Sequence, residues 1–311
     1  YSPVGCNLIE INGVFQMFKE SKIPGFNADD FAVKQVFYNS KDGTRVPMTI
    51  LHKKGIALDS SHPCFMYGYG GFAISLTPTF VNMALGSGPF VFLKHFGGVL
   101  AYPNLRGGAE YGENWHQAGV GVKKQNVFDD FIAAAKYLQD NGYTTSKRLT
   151  ICGSSNGGIL VGACTNQAPE RFGCTILQIG VTDLIRFPEN TIGKMIVGEL
   201  GDPAVKEQFD ALIKVSPLHN IRVPQGDVQY PAVLVQTGDH DDRCPPGMHS
   251  YKYTSEIQHT VGNQAKQTNP LMLSVEKDAG HLVGKSTEKR IAEITDIYSF
   301  MAQTTNLQWR D

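Results

Sequence analysis

Near the middle of the chain, Gly153-Ser154-Ser155-Asn156-Gly157 lies between a β-like run, Arg148-Leu149-Thr150-Ile151-Cys152, and a helix-like run, Ile159-Leu160-Val161-Gly162-Ala163-Cys164. A bare G-x-S-x-G pentapeptide is common in ordinary loops. Strand, tight turn and helix in immediate succession separate a nucleophile elbow from those loops, because the central serine must sit at a sharp bend with its hydroxyl exposed. Such a bend has no room for neighbouring Cβ atoms, and Gly153 and Gly157 have none. The segment therefore predicts Ser155 as a nucleophile at the carboxyl end of a sheet strand.

The rest of the chain carries a matching pattern. Runs at 32–38, 46–52, 64–67, 98–102, 149–152, 174–180, 232–237 and 271–276 read as strands. Several are continuously apolar, as expected of strands covered on both faces. Amphipathic stretches at 127–140, 155–167, 204–215, 248–259 and 286–303 read as helices. In the first of them Phe128, Phe131, Ile132, Ala135 and Leu138 share one face. A short Asp42-Gly43 turn joins the first two strands, and β-α alternation follows. The pattern predicts an α/β fold with a mostly parallel, doubly wound sheet, an antiparallel start and flanking helices. Residues 1–22 fit it poorly, since 6–11 are strand-like with no obvious partner and Pro24-Gly25 marks a boundary. We expect residues 1–25 to be the remnant of a preceding domain or linker, and 26–311 to be the catalytic domain.

Composition narrows the function classes. With 41% hydrophobic and 18% charged residues, a chain of 311 residues can bury a large core. A net charge of -1 gives no reason to expect nucleic acid or an anionic membrane as partner. The basic pairs Lys53-Lys54 and Lys123-Lys124 read as solvated faces. The cysteines (Cys6, Cys64, Cys152, Cys164, Cys174 and Cys244) form no CxxC pair, which argues against structural zinc. No signal peptide, transmembrane run or N-x-S/T acceptor is found, so a reducing, cytoplasmic setting is expected.

A serine needs a base to take its proton and an acid to orient that base. In a sheet of this kind the chain order is Ser, Asp or Glu, then His, each in a loop after a strand. The predicted strand at 232–237 opens into Gly238-Asp239-His240-Asp241-Asp242-Arg243, and that at 271–276 into Lys277-Asp278-Ala279-Gly280-His281. His281 follows a small turn after the last strand and is the candidate base. His219, His249 and His259 lie in helices or their connections, while His52, His62, His95 and His116 precede the serine and read as structural. The acid stays open among Asp239, Asp241 and Asp242. His240 among these carboxylates also suggests a hard-metal site, but the usual spread of oxygen ligands is missing, so no metal or cofactor is expected. Attack on a carbonyl needs donors for the oxyanion: the backbone N–H of Asn156 is one, and the glycine-rich loop Tyr67-Gly68-Tyr69-Gly70-Gly71-Phe72 stands where the second should come from.

With these motifs the chain resembles the prolyl oligopeptidase family over nearly its whole length. The matching stretches are YGYGGF (67–72), NLRGGAEYG (104–112), KQNVFDDF (124–131), GSSNGG (153–158), KVSPLHN (214–220), DHDDR (239–243) and AGH (279–281). The resemblance implies an α/β-hydrolase fold with Ser155 as nucleophile, Asp241 as orienting acid and His281 as base. It implies that Tyr69 joins Asn156 N–H in binding the oxyanion, that Arg243 bonds a peptide carbonyl, and that Phe72 and Val181 line an apolar subsite. It also implies a β-propeller from the same gene product, absent from this sequence, that caps the site and admits only short peptides. Two departures stand out. The tryptophan that stacks on the substrate proline is replaced by Ile196, and a tyrosine of the same pocket by Leu200; lost stacking weakens proline binding by about 1 kcal/mol. Ser154 stands where the family usually has glycine, with little effect expected. The reading is a serine peptidase cleaving short peptides on the carboxyl side of proline. A relaxed-specificity oligopeptidase or esterase, and a non-catalytic binding module of the same fold, are the alternatives.

Overall fold

The computed structural model describes residues 6–20, 25, 27–77, 88–281 and 285–310. Strands β1 (Cys6–Ile11) and β2 (Val14–Glu20) form a two-stranded antiparallel sheet of their own. The partner that the sequence left unassigned for 6–11 is thus the very next strand. Asn12 (φ 53°) and Gly13 (φ 77°) are both left-handed, as a two-residue hairpin turn requires, and Asn-Gly is the dipeptide best suited to it.

The other strands are β3 (Phe31–Asn39), β4 (Arg45–Lys53), β5 (Cys64–Tyr67), β6 (Val99–Pro103), β7 (Leu149–Ser154), β8 (Cys174–Gln178), β9 (Ala232–Gly238) and β10 (Leu271–Glu276). They make one eight-stranded sheet in the order β10-β9-β8-β7-β5-β6-β4-β3. β4 runs against its neighbours β3 and β6, and the pairs from β6 through β10 are all parallel. β3 and β4 meet through the expected Asp42-Gly43 turn, where Ser40 N–H donates to Thr44 O at 2.8 Å and Thr44 N–H to Asp42 Oδ1 at 3.0 Å. After β5 the chain adds β6 on one side and β7 on the other. The sheet therefore reverses direction at β5, the kind of point where α/β sheets bind ligands beyond their carboxyl ends.

Alternate residues of the buried strands feed two cores, one on each face of the sheet. On one side lie α3 (Gln125–Asp140), α4 (Asn156–Gln167), α7 (Lys206–Val215) and α8 (Ser250–Ile257), with α1 (Gly88–His95) and α9 (Thr287–Thr305) on the other. Cys64, Met66 and Ile151 point into the first core, and Phe65 and Cys152 into the second, as the period of a strand dictates. Three short helices, α2 (Glu113–Gln117), α5 (Thr191–Met195) and α6 (Val197–Leu200), lie at the carboxyl end of the sheet around the site described below. Arg106 pins the turn before β4 to α3, bonding Asp42 at 2.5 Å and Asp130 at 2.7 Å. No helix among the described residues is long and apolar enough to cross a membrane.

Candidate active site

β7 ends and α4 begins around one residue, Ser155, whose φ of 55° and ψ of -116° are strained for a side chain with a Cβ. Neighbouring backbones enforce the bend. A Cβ on Gly153 would fall 2.1 Å from the Gly157 carbonyl oxygen, and one on Gly157 would fall 2.6 Å from that of Gly68. Ser155 N–H donates to Gln178 O on β8 at 3.0 Å, while its carbonyl accepts from Gly158 and Val181 N–H at 2.9 and 3.3 Å. Ser154 is not idle: its hydroxyl donates to Gln178 Oε1 at 3.1 Å, and Gln178 Nε2 donates to Gln236 Oε1 at 3.1 Å. This polar chain ties the ends of β7, β8 and β9 beneath the elbow.

The loops after β9 and β10 bring Asp241 and His281 together. His281 Nδ1 lies 2.8 Å from Asp241 Oδ2 and 3.0 Å from Oδ1, with both side chains buried. Asp241 Oδ1 also accepts from Arg243 and Cys244 N–H at 3.0 and 2.8 Å, so the carboxylate is anchored by its own loop. The other two aspartates take no part. Asp242 is exposed, and Asp239 Oδ1 accepts from His240 Nδ1 at 2.7 Å and from Ala279 N–H at 3.2 Å. Asp239, His240 and Asp278 do come within 4.8 Å of one another, but all are exposed, and the first two already satisfy each other.

The loop after β5 faces the elbow. Tyr69 is buried with its hydroxyl turned to the Ser155 side chain, and burial pushes its pKa up to about 12, so it stays a protonated donor at neutral pH. Asn156, as the first residue of α4, has a backbone N–H with no helical partner. Its side chain donates Nδ2–H to Tyr69 O at 2.7 Å, locking loop to elbow. Phe72 is half-buried with φ 57°. Arg243 is exposed, and its charge acts on Tyr69. Of the remaining predicted pocket residues, Ile196 is half-buried, whereas Val181 (4% exposed) and Leu200 (1%) are set in the core.

Sequence reasoning missed several neighbours. Lys124, read as part of a solvated basic pair, is 2% exposed and donates Nζ–H to Gly70 O at 3.0 Å. Burial lowers its pKa to about 8, and the correction has a simple cause: one residue of the pair faces solvent and the other points under the loop. Cys244 is buried against Ser155, and burial raises its thiol pKa well above the usual range, so it remains a neutral thiol. Its place three residues after Asp241 was the available signal. His116 and Glu199 bond each other at 2.7 Å although 83 residues separate them, and no local pattern announces that contact.

A strained serine after a central strand, with an acid–histidine pair after the last two, defines a protein of the α/β-hydrolase class. A model of the prolyl oligopeptidase family matches residues 87–308. Prolyl oligopeptidase A of Amanita bisporigera is 45% identical over 298 residues, which are 96% of this chain and 38% of that protein. The prolyl endopeptidase of Dictyostelium discoideum is 45% identical over 299 residues, again 96% of this chain and 38% of the relative. Among solved structures, prolyl oligopeptidase B of Galerina marginata bound to a 35mer hydrolysis and macrocyclization substrate has a TM-score of 0.88 at 37% identity, covering 95% of this chain and 40% of that one. The chain belongs to the prolyl oligopeptidase family. It spans well under half the length of these relatives.

Proposed function

We propose that the chain is the catalytic portion of a serine peptidase that cleaves short peptides on the carboxyl side of proline. The observation that carries this reading is the buried His281–Asp241 pair at 2.8 Å, on loops at the same sheet edge as the strained Ser155 elbow. His281 takes the Ser155 proton through Nε2, while Asp241 holds Nδ1–H and balances the imidazolium. Ser155 Oγ attacks the peptide carbonyl, whose oxyanion receives hydrogen bonds from Tyr69 OH and Asn156 N–H. Collapse releases the amine with the proton from His281, and water then opens the acyl-enzyme by the reverse path. Arg243 orients the peptide by a carbonyl bond, and Phe72 and Ile196 line the apolar pocket, backed from the core by Val181 and Leu200. The proposal includes a cytoplasmic setting, a capping propeller from the same gene product that limits substrates to short peptides, and the assignment of residues 1–25 to that preceding part.

A second reading within the same chemistry is a relaxed preference at the cleaved residue. It is favoured by Ile196 and Leu200, since aliphatic groups bury a proline ring without stacking on it. One experiment tests both. A fluorophosphonate probe should label the wild-type chain and not Ser155→Ala, and peptides differing only before the scissile bond should rank proline first. Labelling of Ser155→Ala would overturn the nucleophile; equal rates for proline and alanine peptides would select the relaxed reading.

A further inference from the structure

The turn that follows β5 holds a costly backbone conformation. Gly70 (φ 64°), Phe72 (φ 57°) and Ala73 (φ 53°) are all left-handed, a region that glycine enters freely and the other two do not. Such a turn persists only where surrounding groups over-determine it. The anchors are explicit. Tyr69 O accepts from Asn156 Nδ2, Gly70 O accepts from Lys124 Nζ at 3.0 Å, and Ala73 N–H donates to Gly107 O at 3.1 Å. Phe72 N–H donates to Glu199 Oε1 at 2.6 Å, the shortest of the set.

Glu199 reaches this amide from α6, the short helix whose flanks carry Ile196 and Leu200. Its second oxygen accepts from His116 Nε2 at 2.7 Å, and His116 Nδ1 faces Glu113 Oε1 at 3.2 Å. Carboxylates face both ring nitrogens, and the bond to Glu199 is the main reason the histidine's pKa is raised. Three pieces of chain distant in sequence, the β5 turn, α2 and α6, thus meet at one largely buried carboxylate. No catalytic step described above uses that carboxylate.

We infer that Glu199 is a positioning residue: it fixes the turn that aims the Tyr69 hydroxyl and couples that turn to the helix forming the wall of the specificity pocket. The inference rests on the peptidase reading above, in which Tyr69 is an oxyanion donor. Because Ile196 caps the helix that bears Glu199, displacement of Ile196 by a substrate side chain is passed to the oxyanion donor. Pocket occupancy then acts on turnover as well as on binding.

The test is a double-mutant cycle between Tyr69→Phe and changes at Glu199, read by fluorophosphonate labelling rate and by kcat and KM on one proline peptide. Glu199→Ala should lower kcat by about tenfold or more with little change in KM, bounded by the ~10²–10³-fold effect of losing one oxyanion donor. Glu199→Gln should recover most of that loss, because its amide oxygen still accepts from Phe72 N–H and its NH2 can donate to neutral His116. On a Tyr69→Phe background Glu199→Ala should cost little more, since the donor it aims is gone. Additive effects of the two changes, or a Glu199→Ala chain as fast as wild type while Tyr69→Phe is slow, would overturn the inference and leave the peptidase reading intact. Failure of the wild-type chain to label would overturn both.

Discussion

Asp241→Asn isolates the part of the site most firmly set by geometry. Asp241 Oδ1 accepts from two backbone amides in its own loop, and an asparagine oxygen can keep both bonds. The substituted NH2 then falls at the place of Oδ2, 2.8 Å from His281 Nδ1. Two N–H groups cannot face each other there, so the imidazole shifts its proton to Nε2 and presents an N–H, not a lone pair, to Ser155. The fold survives while the base is lost. The expected loss is about 10⁴-fold in kcat, equivalent to about 5.5 kcal/mol on the barrier. Asp239→Asn and Asp242→Asn supply internal controls, because Asp239 bonds His240 and Ala279 N–H, and Asp242 is exposed. Steady-state hydrolysis of a chromogenic proline peptide, alongside thermal unfolding, separates the chemical effect from a folding defect. Three variants of similar activity, or an Asp241→Asn chain within tenfold of wild type, would refute this account of the acid.

Tyr69→Phe should lower kcat by about 3 kcal/mol of barrier with a smaller change in KM, the pattern of a donor used in the transition state; a raised KM with unchanged kcat would make it a ground-state contact. His249 Nδ1 accepts from Thr182 and Asp183 N–H, and burial holds its pKa down to about 4 against 6.5 for the free side chain. Because the unfolded chain binds this proton first, the contribution to stability is intact above pH 6.5 and is lost as pH falls toward 4; denaturant midpoints of His249→Gln should be flatter than wild type across that window, and equal slopes would contradict it. Ile196→Trp should raise the proline-to-alanine ratio in kcat/KM by up to about tenfold through ring stacking. An active variant with an unchanged ratio would place the substrate ring elsewhere.

The large sheet was legible because its buried strands are predominantly apolar, as in Cys64–Tyr67, and because even CTILQ at Cys174–Gln178, with polar Thr175 and Gln178, is buried at every residue. Long amphipathic helices were legible for the same kind of reason, with Phe128, Phe131, Ala135 and Leu138 packed on one face of α3. α1 escaped because its sequence, GPFVFLKH, is too short and too uniformly apolar to show a helical period. α2, α5 and α6 are single turns, set by the loops around them more than by their own sequence. Strand-then-loop order picked out Ser155 and His281 as candidates, but it left the acid open among Asp239, Asp241 and Asp242, and only the resemblance pointed to Asp241. The site was unreadable where function depends on long-range side-chain contacts. Lys124 has the sequence of a surface lysine and the environment of a core residue, and nothing near Glu199 points to Phe72 or His116.

Among the described residues β10 is the last strand on its side of the sheet, bonded only to β9, and its Met272 and Val275 stay substantially exposed. It is therefore held more loosely than the central strands that carry Ser155. Local opening of such a margin needs far less free energy than global unfolding. The loop that follows β10 bears His281, the base in the proposed mechanism, so an excursion of this strand would withdraw it while the elbow, deep in the sheet, keeps its shape. On warming, the ability to activate Ser155 should fade before the core melts, and amide exchange in β10 should quicken at the same temperature. On this reading the durability of the chemistry follows the weakest border of the sheet more than the strength of its centre.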